Sequence, residues 1–202
     1  DINEYSEGTK DILTKIINQK TGRFSKGSQS KDPYIRLARE SLMYYITHGK
    51  YMSIPSYADK DMISNRSGVF VSIKKHGELR GCIGTIQPVT GCIAQEIIRN
   101  AVEAGMFDPR FSPVSIDEWN ELEFSVDVLT RPQPASKSEL DPKKYGVIVR
   151  SGYRTGVLLP DLEGVDTVED QINIALHKAG ISPGEPYTIE KFQVIRHKGE
   201  QS

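Results

Sequence analysis

Two hairpin signals, set among isolated helical stretches, predict an α+β fold with a mainly antiparallel sheet and flanking helices. In the first, Val69, Val71 and Ile73 alternate with Phe70 and Ser72, and Lys75-His76-Gly77-Glu78 turns the chain into a second strand from Leu79 to about Ile86. In the second, strands at 145–150 and 156–159 flank Ser151-Gly-Tyr-Arg-Thr155. The third observation is negative. Strands and helices do not alternate regularly, as a parallel sheet requires, and there is no internal repeat.

The chain has 202 residues, enough for one generous domain of roughly 150 residues or one domain with an extension. Its net charge is −1, with 37% apolar and 26% charged residues, an ordinary globular balance that argues against nucleic acid as the main partner. No apolar run approaches the ~18 residues of a membrane span, and no signal-peptide pattern is present, so no membrane association is expected. Cys82 and Cys92 are too few for a disulfide scaffold, which points to a reducing, cytoplasmic setting.

Residues 1–30 read as an N-terminal extension or linker. Ile12, Leu13, Ile16 and Ile17 recur at helical spacing after Thr9, and 21–30 is rich in Gly and Ser. Lys15, Lys20, Arg23, Lys26 and Lys31 form a loose basic run that suits a solvated linker better than a nucleic-acid arm. A domain over 31–198 opens at Asp32-Pro33, an N-cap acid and an N1 proline. Tyr34, Ala38, Leu42 and Tyr45 then form a helical stripe that ends at Gly49. A further helix is expected from Thr90, with Ile93, Ala94, Ile97, Ile98, Ala101 and Val102 on one face. Ser115-Ile-Asp-Glu118 is a capping box, and Leu122, Phe124, Val126 and Val128 alternate as a strand that stops before Pro132. Thr167 caps a helix ending at Gly180, and 187–196 closes the chain as one strand.

The four histidines fall on different elements, and none has metal-ligand spacing, so no metal or other cofactor is expected. The informative segment is Leu79-Arg-Gly-Cys-Ile-Gly-Thr85. Period-two alternation puts Leu79, Gly81, Ile83 and Thr85 on one face and Arg80, Cys82 and Gly84 on the other, with Arg80 and Cys82 about 6–7 Å apart. A guanidinium at that range favours the Cys82 thiolate. Gly81 and Gly84 weaken a strand, so each admits a close partner, either a ligand or another backbone. Two readings stay open. Either this face takes a small anionic or electrophilic ligand, or Cys82 is a small buried hydrophobe and the glycines admit a helix. Cys92 is a remote candidate as a resolving thiol. In Phe107-Asp-Pro-Arg-Phe111, Asp108 either orients Arg80 or pairs with Arg110 to shape the loop, and Arg110 is a second candidate cation.

Residues 79–85 resemble the signature heptad of the AMMECR domain family, whose bacterial members are called AmmeMemoRadiSam system protein A. The resemblance continues through Asp32-Pro-Tyr-Ile-Arg-Leu-Ala38, Asp108-Pro-Arg-Phe111, Phe124-Ser-Val-Asp-Val-Leu129, Leu158-Leu-Pro-Asp-Leu-Glu-Gly-Val-Asp-Thr167 and Phe192-Gln-Val-Ile-Arg-His197. It implies a second, smaller lobe and partnership with a Memo-like protein and a radical SAM protein. The family's suspicion of function at the heptad maps onto Arg80, Gly81, Cys82 and Gly84. The function expected is thus a ligand or substrate site around this strand. The alternative is an enzyme or covalent carrier with Cys82 as nucleophile, Arg80 as its stabilising cation and Asp108 as the group that positions Arg80.

Overall fold

The structure, a computed structural model, describes residues 30–199. The expected helix and, apart from Lys31, the basic run lie outside the described residues. Helix α1 (Pro33–His48) starts where Asp32 accepts hydrogen bonds from the backbone N–H groups of Tyr34 and Ile35, and it ends at Gly49 with φ +68°. A short α2 (Lys60–Ser64), unforeseen in the sequence, is capped by Asp59. β1 (Val69–Lys75) and β2 (Glu78–Gly84) form the expected hairpin, with positive φ at both His76 and Gly77. α3 (Ile93–Met106) begins three residues later than the sequence suggested, with Cys92 at the N-cap.

The remaining elements are β3 (Leu122–Leu129), β4 (Gln133–Pro134), β5 (Gly146–Ser151), β6 (Arg154–Leu158), α4 (Val168–Ala179), β7 (Thr188–Phe192) and β8 (Val194–Lys198), with short 3-10 helices at Ile116–Glu121 and Lys137–Glu139. The closing segment is therefore two strands rather than one. Gln193 separates them: its N–H donates to the Thr130 hydroxyl, and its carbonyl accepts from the Thr130 N–H. Two four-stranded sheets result, ordered β2-β1-β3-β8 and β4-β7-β5-β6. The pairings β1–β2, β4–β7, β5–β6 and β5–β7 are antiparallel. A mixed α+β architecture is thus present, with two sheets where the sequence suggested one. β4 contains Pro134 and lies at the sheet edge, where a missing N–H is tolerated.

The chain divides into two compact units, one of the described residues up to Val126 together with those from His197, the other Asp127–Arg196. In the first unit, Val69, Val71 and Ile73 of β1 are fully buried with Ile97 and Ala101 of α3 and Leu37 and Leu42 of α1. Tyr45, expected in the α1 core stripe, instead packs its ring against Tyr51 and Phe107. α3 is buried around most of its circumference, including Glu96 and Asn100. Those two polar side chains are satisfied. Glu96 accepts from the Thr85 and Thr90 hydroxyls and from the Val89 and Thr90 N–H groups, while Asn100 donates to the Val69 carbonyl. In the second unit, Val147, Val149, Leu158, Ile172, Ala175 and Leu176 form one apolar cluster. Thr167 caps α4 as expected, accepting from the Asp170 N–H.

Candidate functional site

β2 is the edge strand of its sheet, and its register is broken once. Ile73 faces Gly81 while Lys74 faces Leu79, which leaves Arg80 as the extra residue of a β-bulge. Simple alternation fails here. The bulge re-aims Arg80 toward 112–118, where its guanidinium donates to Glu118 at 2.7 and 3.1 Å and to the carbonyls of Ser112 and Pro113. Both side chains of this pair are 14% exposed. The hydrogen bond from Arg80, then those from Ser115 and the charge of Lys75, hold the Glu118 carboxyl below its ordinary value against the opposing effect of burial.

Beyond the bulge the ladder is regular, and Cys82 faces Ser72. The Cys82 N–H donates outward to Asp108 at 3.0 Å, and its carbonyl accepts from Arg110 at 3.1 Å. Ser72 and Cys82 are therefore a non-hydrogen-bonded pair, the kind whose side chains approach closely. Their hydroxyl and thiol lie 3.3 Å apart. Asp108 and Arg110 also cover the polar groups of an edge strand that would otherwise stand open.

The loop after α3 makes this cover rigid. Arg110 donates to both carboxylate oxygens of Asp108, at 3.0 and 2.8 Å, and the Arg110 N–H donates to the same carboxylate. The Asp108 side chain is only 2% exposed, whereas that of Arg110 is 55% exposed. Arg110 is the main cause that holds the Asp108 carboxyl well below the usual carboxylate range, with further help from the Cys82 N–H. Asp108 in turn holds Arg110 above its ordinary value, and Cys82 adds to that effect.

One expectation is corrected. Asp108 does not orient Arg80, because its side-chain bonds go to Arg110 and the Cys82 amide. The bulge commits the Arg80 guanidinium to Glu118, and Arg110 is a cation on which Cys82 acts. Glu118 was read in the sequence only as part of a capping box, and it serves both Ser115 and Arg80.

The glycines admit parts of the protein itself. A Cβ at Gly81 would lie 2.1 Å from the Ala104 carbonyl oxygen of α3, and one at Gly84 would lie 2.2 Å from the Phe70 ring. Cys92 is buried, and no disulfide joins it to Cys82. Among the described residues no group of three or more His, Cys, Asp or Glu could hold a metal ion, and no helix is long and apolar enough to cross a membrane.

The α+β fold and a heptad strand covered by an Asp-Pro-Arg loop define the class to which comparison then assigns the chain. A family model described as AMMECR1 matches residues 35–201, and the protein belongs to that family. It is 59% identical over 187 residues to a protein of Clostridium acetobutylicum, covering 92% of this chain and 40% of that one. A Thermotoga maritima protein is 46% identical over 169 residues, covering 82% of this chain and 97% of that one. The chain thus spans about 40% of the Clostridium relative's length. The crystal structure of an uncharacterised protein from Pyrococcus horikoshii superposes with a TM-score of 0.75 at 28% identity, covering 81% of this chain and 88% of that one.

Proposed function

We propose that Cys82, Ser72 and Arg110 form a binding site for a small anionic or electrophilic ligand, with Asp108 fixing Arg110 in place. The observation that carries this reading is a half-exposed guanidinium pinned bidentately by a buried carboxylate beside a thiol. Arg110 spends Nε and Nη2 on Asp108 and the Cys82 carbonyl, while its Nη1 makes no hydrogen bond with the described residues and is left to donate to a ligand. Holding the cation in position before binding lowers the entropic cost of capturing an anion. Arg80 has a structural part in this reading. It braces the bulge through Glu118, while Gly81 and Gly84 let α3 and Phe70 close on the strand.

The proposal includes action with Memo-like and radical SAM partners, which rests on family membership. It also includes a reducing, cytoplasmic setting in which a thiol at Cys82 persists. A second reading, covalent carrier, is favoured by the Ser72 hydroxyl 3.3 Å from the sulfur, a donor able to stabilise a thiolate.

The test compares alkylation of Cys82 by anionic iodoacetate and neutral iodoacetamide across pH, with Cys92 as internal comparison. A ligand site of this kind gives an iodoacetate preference that Arg110→Ala abolishes and Arg80→Ala does not. The carrier reading further requires an apparent thiol pKa below the unperturbed ~8.5. Modification of Cys82 only on unfolding would overturn both.

A further inference from the structure

We propose that the groove between α3 and the segment 51–54 binds a small amphipathic carboxylate, at a site separate from Cys82 and its loop. The groove is a shallow depression open to solvent, of about 600 Å³, and shares no residue with the Cys82 cluster. That volume lies within the roughly 300–1,000 Å³ of small-molecule sites. Its walls are mainly apolar: Tyr51, Met52 and Ile54 from the loop, and Ile98 from α3. Ile98 is 4% exposed, so the groove reaches the edge of the core.

The hydrogen-bond accounting of the polar lining selects the head group. Gln95 spends its side-chain oxygen on the Gly91 N–H, which leaves its amide nitrogen to donate. Arg99 spends Nη1 on Asn100, which leaves Nε and Nη2 without a hydrogen bond to the described residues. The Tyr51 hydroxyl already donates to Glu103, and the Thr90 hydroxyl to Glu96, while the Ser53 hydroxyl makes no hydrogen bond with the described residues and adds a donor for a carboxylate. No carboxylate lines the groove, and Arg99 is the one charged residue that does among the described residues. An apolar body with a monoanionic acceptor head therefore complements this lining. A single guanidinium matches one carboxylate better than a dianion. A carboxylate seated here would place its oxygens on Arg99 and Gln95 and its chain along Ile98, Met52 and Ile54.

The experiment is an NMR titration of the whole 202-residue chain, with sodium octanoate, 1-octanol and sodium acetate as probes. Octanoate is expected to give saturable shifts confined to 51–54 and 90–99, and to bind about fivefold more tightly than octanol, as suits one partly exposed ion pair. Acetate, with no apolar body, is expected to leave these signals unchanged. Arg99→Gln brings octanoate down to the level of octanol and leaves octanol binding as it was. Gln95→Glu is a second, exposed variant that keeps an acceptor for Gly91 and weakens octanoate by repulsion. The proposal is overturned if octanoate gives no saturable shift, if its shifts fall elsewhere, or if neither variant weakens it. It is equally overturned if the groove signals move with protein concentration alone, which would make a second copy the occupant.

Discussion

Replacing Gly81 by alanine puts a methyl group 2.1 Å from the Ala104 carbonyl oxygen, where ordinary contact begins near 3.4 Å, so strand or helix must give by more than 1 Å. Both partners are backbone in packed elements, which places the cost near the upper end of the roughly 1–3 kcal/mol for overpacking. The φ of Gly81 lies outside the left-handed region, so alanine also restricts the unfolded chain, returning about 0.4–1 kcal/mol. The net loss is about 2 kcal/mol. Gly84→Ala meets only the Phe70 ring, at 2.2 Å, and a half-buried side chain can turn away, so its loss is expected to stay within about 1 kcal/mol. Urea unfolding followed by Trp119 fluorescence reads this difference. Trp119 is the only tryptophan, is 4% exposed, and belongs to the same unit as both glycines. If Gly81→Ala falls within about 0.5 kcal/mol of the parent, or proves milder than Gly84→Ala, helix-on-strand packing is not why a glycine stands at position 81.

Glu118→Gln is expected to cost about 1.5–3 kcal/mol at neutral pH, since a largely buried guanidinium loses its charge-assisted partner. The folded carboxyl lies below its unfolded value, so its contribution is present above about pH 4–5 and disappears as pH falls further. Stability against pH should therefore show a shallower acid limb in Glu118→Gln than in the parent. Asp108→Asn follows the same sign, because its carboxyl is also held low, and it should speed amide hydrogen exchange at Cys82 and across 108–111. An unchanged exchange rate at Cys82 would show that Asp108 does not hold that amide. Glu96→Gln turns an acceptor oxygen into an NH₂ facing donors from Thr85, Val89 and Thr90. A loss of about 1–3 kcal/mol, with faster exchange across 85–91, is expected by denaturation and hydrogen-exchange mass spectrometry.

The alternation of Val69, Val71 and Ile73, the His76-Gly77 turn, and the caps Asp32, Thr167, Gly49 and Gly180 are local signals, each set by a few neighbouring residues. All of them stand in the structure as the sequence suggests. The membership of Cys82, Asp108 and Arg110 in one cluster was legible as separate motifs, and only folding shows which charge meets which partner. The bulge at Arg80 was not legible. It is a register shift between two strands, and a single extra residue leaves no mark on composition or periodicity. That shift turned Arg80 to Glu118, while Arg110 lies with Asp108 and the Cys82 backbone.

The break at Gln193 escaped for a related reason. A segment of mixed apolar and polar residues such as 187–196 reads as one strand unless a distant residue, here Thr130, captures its backbone. By itself, then, the sequence determined the type and ends of most elements, the close-packed role open to its strand glycines, and the family. Tertiary structure decided sheet membership, the partner of each charge and the groove beside α3, because each depends on residues far apart in the chain whose approach no local pattern encodes.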